Sequence, residues 1–141
     1  MKEKINELIP KAIQAIVDSK IANENGEVEK EFKGYISSIG ASIIQAGLLP
    51  SLAFFQNSSG KKADSCMVLD AVLMLIKNSN SANEKLITYV INQCKTQNLA
   101  TNTYTASNLD KEKLYLIEED IMDAIIALKL ALRIYKIKGD E

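Results

Sequence analysis

Residues 28–55, VEKEFKGYISSIGASIIQAGLLPSLAFF, decide the fold. Phe32, Tyr35, Ile36, Ile39, Ile43 and Ile44 recur at helical spacing, so a helix with one apolar face is expected over about Val28–Ala46. Gly47 follows as the left-handed residue that ends a helix, and Leu48 as the apolar residue that packs back on it. Pro50 then opens a short helix carrying Leu52, Ala53, Phe54 and Phe55, because a first-turn amide needs no intrahelical partner. Two helices meeting at a glycine, with no strand between them, point to an all-α chain.

The flanking sequence keeps the same period. Upstream, Ile5, Leu8, Ile9, Ala12, Ile13, Ile16 and Val17 form one stripe; Pro10 is tolerated if that helix begins near Asn6 or Glu7, and Asn25-Gly26 is the turn after it. Downstream of the Asn57–Gly60 loop, a helix over about Lys62–Lys77 is apolar nearly all round from Met67 to Ile76 and belongs in the middle of a bundle. Ser81-x-x-Glu84 reads as a capping box before a helix that turns Leu86, Ile87, Val90, Ile91 and Cys94 inward. Gln97–Asn108 is a polar loop. Ser107-x-x-Asp110 opens a last helix reaching about Lys138, with Leu114, Ile117, Ile121, Ala124, Ile125, Leu128, Ala131, Leu132 and Tyr135 on its inner face. Ile126, Leu130, Ile134 and Ile137 widen that face, as a surface for a partner would. No strand-like alternation is found. The expected architecture is a single helical domain, residues 1–141, a bundle of five to six helices with a long C-terminal helix.

Composition narrows the chemistry. The 141 residues include no His and two Cys, Cys66 and Cys94. Ser–His–Asp and Cys–His nucleophiles, His-ligated metals and a Cys₄ zinc site are thereby excluded. Neither thiol belongs to a disulfide framework, the N-terminal MKEKINELIPKA has no apolar signal core, and Cys66–Ile76 is too short and carries Asp70; a reduced, cytoplasmic chain without a membrane span is expected. Ser59-Gly60-Lys61-Lys62 lacks the earlier glycine and the hydroxyl residue of a phosphate-binding loop. Glu118, Glu119, Asp120 and Asp123 point in different directions around a helix and read as a solvated face. Asp70, within the most apolar helix, must reach the surface, cap a helix end or meet a lysine. Cys66 and Cys94 read as small core residues. No catalytic residue, metal site or cofactor is expected.

Net charge is −1, yet residues 61–109 carry Lys61, Lys62, Lys77, Lys85 and Lys95 against Asp64, Asp70 and Glu84. These five are the candidates for contact with phosphate, which ammonium groups would make as point charges. The only arginine is Arg133, in the acidic C-terminal segment.

The run from Tyr35 to Phe55, with Gln45, Gly47, Leu48, Leu52, Ala53 and Phe54 and then Lys61, resembles the small helical subunit of the Cmr complex, the type III-B CRISPR effector. Its features are a helix ending Gln-x-Gly-Leu, a Leu-Ala-Phe helix and a following lysine. The resemblance spans about residues 28–138, including a polar loop with Tyr104 and a long final helix. It implies a non-catalytic subunit. Copies would stack into an inner filament beside the backbone subunit, contacting guide RNA and target RNA without reading sequence. A filament repeating a few lysines suits this, since an A-form duplex displays phosphates and 2′-hydroxyls to shape readers. Its expected partners are other Cmr subunits, further copies of itself and the two RNAs. Two other classes stand beside it: a helical protein–protein adaptor with no RNA role, and a small enzyme working with carboxylates alone.

Overall fold

The computed structural model describes residues 2–57, 63–77, 84–95 and 109–138. Within them the chain forms α1 (Lys2–Asp18), β1 (Glu27–Glu29), α2 (Glu31–Ala46), α3 (Leu48–Phe55), α4 (Ser65–Lys77), α5 (Leu86–Cys94), α6 (Lys111–Ala131) and β2 (Lys136–Lys138). The protein is all-α with a long last helix, as its periodicity indicates. α4 touches each of the other five helices, and Val68, Leu69, Ala71 and Val72 are fully enclosed there. α6 lies along α1 through the most extensive helix–helix contact of the molecule. Cys94 is buried in this core, while Cys66 is half-buried at its edge.

Several boundaries differ from expectation. α1 begins at Lys2, so Pro10 sits inside the helix. The carbonyl that loses its partner there is on the exposed side, as Pro10 itself is. Lys4 on the first turn pairs with Asp120 and, at 3.3 Å, Asp123 of α6, which ties the extra turn down. The helix stops at Asp18, before Asn25-Gly26, and Val17 is 48% exposed, outside the stripe. α2 starts three residues late because Val28 belongs to β1. There Asn23 Oδ1 accepts from the amides of Asn25 and Glu27, each at 2.9 Å, turning the chain into a strand.

That strand pairs in parallel with β2, Glu27 opposite Lys136, Val28 opposite Ile137 and Glu29 opposite Lys138. The last helix thus ends at Ala131, short of Lys138, and passes through one 3₁₀ turn, Leu132–Ile134. Tyr135 has extended backbone, and its hydroxyl donates to the Ile13 carbonyl at 3.0 Å. The tail peels off because burying Ile137 against Val28 needs a strand; a pairing between residues so far apart in sequence leaves no local periodicity to read.

The helix starts also differ. Asp110 itself caps α6, accepting from the amides of Glu112 and Lys113, at 2.9 and 3.2 Å. Glu84 precedes α5 rather than lying in its first turn, and its carboxylate takes Lys77 at 2.7 Å. α4 begins at Ser65. Ser81, Ser107, Tyr104 and most of the two polar loops lie outside the described residues.

Candidate nucleic-acid interface

The α2–α3 junction carries the family-like residues. Gly47 has φ +96° and ψ 165°, a combination essentially restricted to glycine. Positive φ was expected here; ψ is extended because α3 starts at once with Leu48, so the chain reverses without a loop. Pro50 is the third residue of α3 rather than its first, still within the turn whose amides need no helical partner. The Gly47 amide donates to the Ile43 carbonyl at 3.1 Å. Ser51, 1% exposed, donates to the Gly47 carbonyl at 2.7 Å, so the Ser42 hydroxyl, also at 2.7 Å, donates to Ser51. Leu48 and Leu52 are buried beneath this hydroxyl chain. Gln45, Ala53 and Phe54 face solvent. Ile44, counted on the inner face of α2, is 76% exposed, and Phe54 is 74% exposed with its ring edge-on to Phe55 at 5.0 Å.

Of the five candidate lysines, Lys61 and Lys62 lie outside the described residues. Lys85 precedes α5 and lines a shallow hollow of about 670 Å³ with Tyr35, Phe54, Gln56 and Asp64. The family-like aromatic and one candidate lysine therefore share a surface. Lys77 is nearby but occupied: it pairs with Glu84 and lies 5.7 Å from the centre of the Tyr89 ring. Lys95 follows the last residue of α5, a helix length of about 14 Å from Lys85. Lys77 thus pairs with the residue just before Lys85, and Lys95 stands at the other end of α5.

Three of the four clustered carboxylates of α6 have side-chain partners. Asp120 and Asp123 hold Lys4, whose ammonium is thereby made harder to deprotonate. Glu119 accepts from the Tyr115 hydroxyl and raises the phenol pKa. Among the described residues no three His, Cys, Asp or Glu side chains gather as a metal site. Asp70 is half-buried on the edge of α4, and loss of solvent pushes its carboxyl upward. Burial, with Asp110 close by, likewise raises the Cys94 thiol, which makes it a poor nucleophile.

A second set of cations was missed by reading along the chain. Lys33 of α2, Lys129 near the end of α6 and Arg133 of the 3₁₀ turn that follows it line one cleft of about 590 Å³. The signal was faint: Arg133 is the only arginine, but its segment is acidic overall.

The described residues form a helical bundle that presents lysines and an arginine at two surface hollows. Comparison with family models is more specific. Residues 6–129 match the family described as CRISPR-associated protein (Cas_Cmr5), and the chain belongs to that family, whose members are small subunits of Cmr CRISPR complexes. No curated protein and no solved structure matches the chain. Among the described residues, no helix is long and apolar enough to cross a membrane.

Proposed function

We propose that this chain is the non-catalytic small subunit of a cytoplasmic type III-B CRISPR (Cmr) ribonucleoprotein. In this reading copies stack into an inner filament beside the backbone subunit and support the guide RNA–target RNA duplex during antiviral defence. The family match over residues 6–129 carries the reading. The residue inventory supports it, since a chain without His and with a buried Cys94 has little to offer nucleophilic chemistry. Lys61, Lys62, Lys77, Lys85 and Lys95 are the proposed RNA contacts. Lys85, beside exposed Phe54, is the best supported of them, because flexible ammonium and aromatic groups together suit a nucleic-acid surface.

Exposed Ile126 and Leu130 on the last helix, with Ile134 in the 3₁₀ turn after it, favour a protein neighbour as well. They serve a Cmr subunit and a plain adaptor equally, so RNA binding separates the two. Lys61→Ala with Lys62→Ala is expected to weaken binding equally for all RNA sequences. The slope of log affinity against log salt should shrink by roughly one unit per lost phosphate contact. Wild-type protein that binds no RNA, alone or assembled, leaves the adaptor reading in its place.

A further inference from the structure

We infer that the cleft between α2 and α6 is a seat for the sugar–phosphate backbone of an RNA strand, with Lys33 on one wall and Lys129 and Arg133 on the other. This rests on the RNA-binding reading above and names a site outside the five lysines that reading uses.

Four observations carry it. First, the cleft is cationic on both walls: Lys33 is exposed beside Gly34 and Ser37 of α2, and Lys129 and Arg133 are exposed one turn apart on the opposite wall. Second, no ion pair among the described residues uses these charges: the pairs are Lys4–Asp120, Lys4–Asp123 and Lys77–Glu84. No carboxylate lines the cleft among the described residues, although the chain has more acidic than basic side chains. Like charges one turn apart on a helix repel, and a third cation opposite adds to that; an anion between them relieves the repulsion.

Third, the only arginine stands here. A guanidinium can hold two phosphate oxygens at once, whereas the chain's lysines act as point charges. Fourth, the lining between the cations is largely apolar: Ile36 and Leu132 are buried, and Tyr135 has its hydroxyl committed to Ile13. Such a lining takes the faces of ribose and base while the rims take phosphate. Gly34 keeps the α2 wall low, since a Cβ there would meet nothing within 4 Å.

The test uses full-length protein and a labelled RNA, single-stranded and as a duplex, titrated over a range of salt. Lys129→Gln with Arg133→Gln should lower affinity by about tenfold at low salt and reduce the salt slope by roughly one to two. Arg133→Lys should keep most of the slope and lose part of the affinity. Both residues are exposed, so thermal melting of each variant should match wild type. If wild type binds and the double variant binds equally with an equal slope, the seat is wrong and the RNA reading survives on the other lysines. If wild type binds no RNA in any setting, the RNA reading itself has failed. A double variant that keeps RNA binding but no longer assembles with other Cmr subunits would make the cleft a protein interface and overturn the inference. Full displacement of RNA by AMP at equal phosphate concentration would also overturn it, in favour of a mononucleotide.

Discussion

α2 takes part in two surfaces of opposite character. Its C-terminal half joins α3 in an elbow that has no charge: from Gly34 to Gly60 no residue is ionisable as Lys, Arg, Asp or Glu. Its N-terminal half faces α6 across a cleft rimmed by three cations. The elbow is held by buried leucines, a glycine-only backbone and two serine hydroxyls. The cleft is held by the core beneath it, and its cations add nothing to that core. The elbow's inner residues therefore govern stability, and the cleft's residues are free to be selected for what they bind.

The largest expected effect tests that division inside the elbow. Leu52 is fully buried, and Leu52→Ala should cost about 2–5 kcal/mol in urea denaturation. Phe54, two residues on and 74% exposed, should change stability by less than about 0.5 kcal/mol when replaced by Ala, whatever it does to binding. Equal losses at the two positions would show that Phe54 is packed and that the outer elbow is not a free surface.

A smaller loss is expected at the turn itself. Gly47→Val should cost about 1–3 kcal/mol, because a side chain is forced to positive φ. An added Cβ would meet Pro50 Cδ at 3.8 Å, an ordinary contact, so backbone strain rather than crowding sets the cost. Gly47→Ala should therefore lose nearly as much as Gly47→Val. A much milder alanine would mean that space, and not φ, is what the elbow requires.

The two regions also differ in how far they can be read along the chain. The elbow is local: the helical period, Gly47, Leu48 and Pro50 lie within a few residues, and both helices and the positive φ follow from them. The resemblance that identified the family rests on the same stretch for the same reason. What misleads there is side-chain exposure, since Ile44 keeps the apolar period yet is exposed while its neighbour Ile43 is buried. The cleft is non-local. Lys33 and Arg133 meet only because α6 packs on α2 and Tyr135 anchors the tail to α1. Averaging charge along a segment hides such a site: Arg133 is diluted by acids such as Asp120 and Asp123, which are spent on Lys4. The parallel β1–β2 pair escaped notice for the same reason, being three residues on each side joined across almost the whole chain.

The smallest effect extends the comparison to a charge that touches the core. The cleft cations are exposed, whereas Asp70 is half-buried on α4 and its carboxyl is pushed upward by lost hydration. Raised in the folded state above its ordinary 3.8, this group binds protons more readily when the protein is folded than when it is unfolded. Its contribution is fully favourable below the ordinary value and is lost as pH rises through the folded one. Asp70→Asn removes the ionisation, so at neutral pH the variant should be more stable than wild type by about 0.5 kcal/mol, a modest gain because solvent still reaches part of the group. The gain should fade as pH drops below the ordinary carboxyl value, where wild-type Asp70 is also neutral. Urea melts of both proteins at neutral and acidic pH measure it. A variant less stable than wild type at neutral pH, with the difference closing in acid, would mean that a cation or hydrogen-bond donor holds Asp70 charged, and that this edge of α4 belongs with the ionic surfaces rather than with the core.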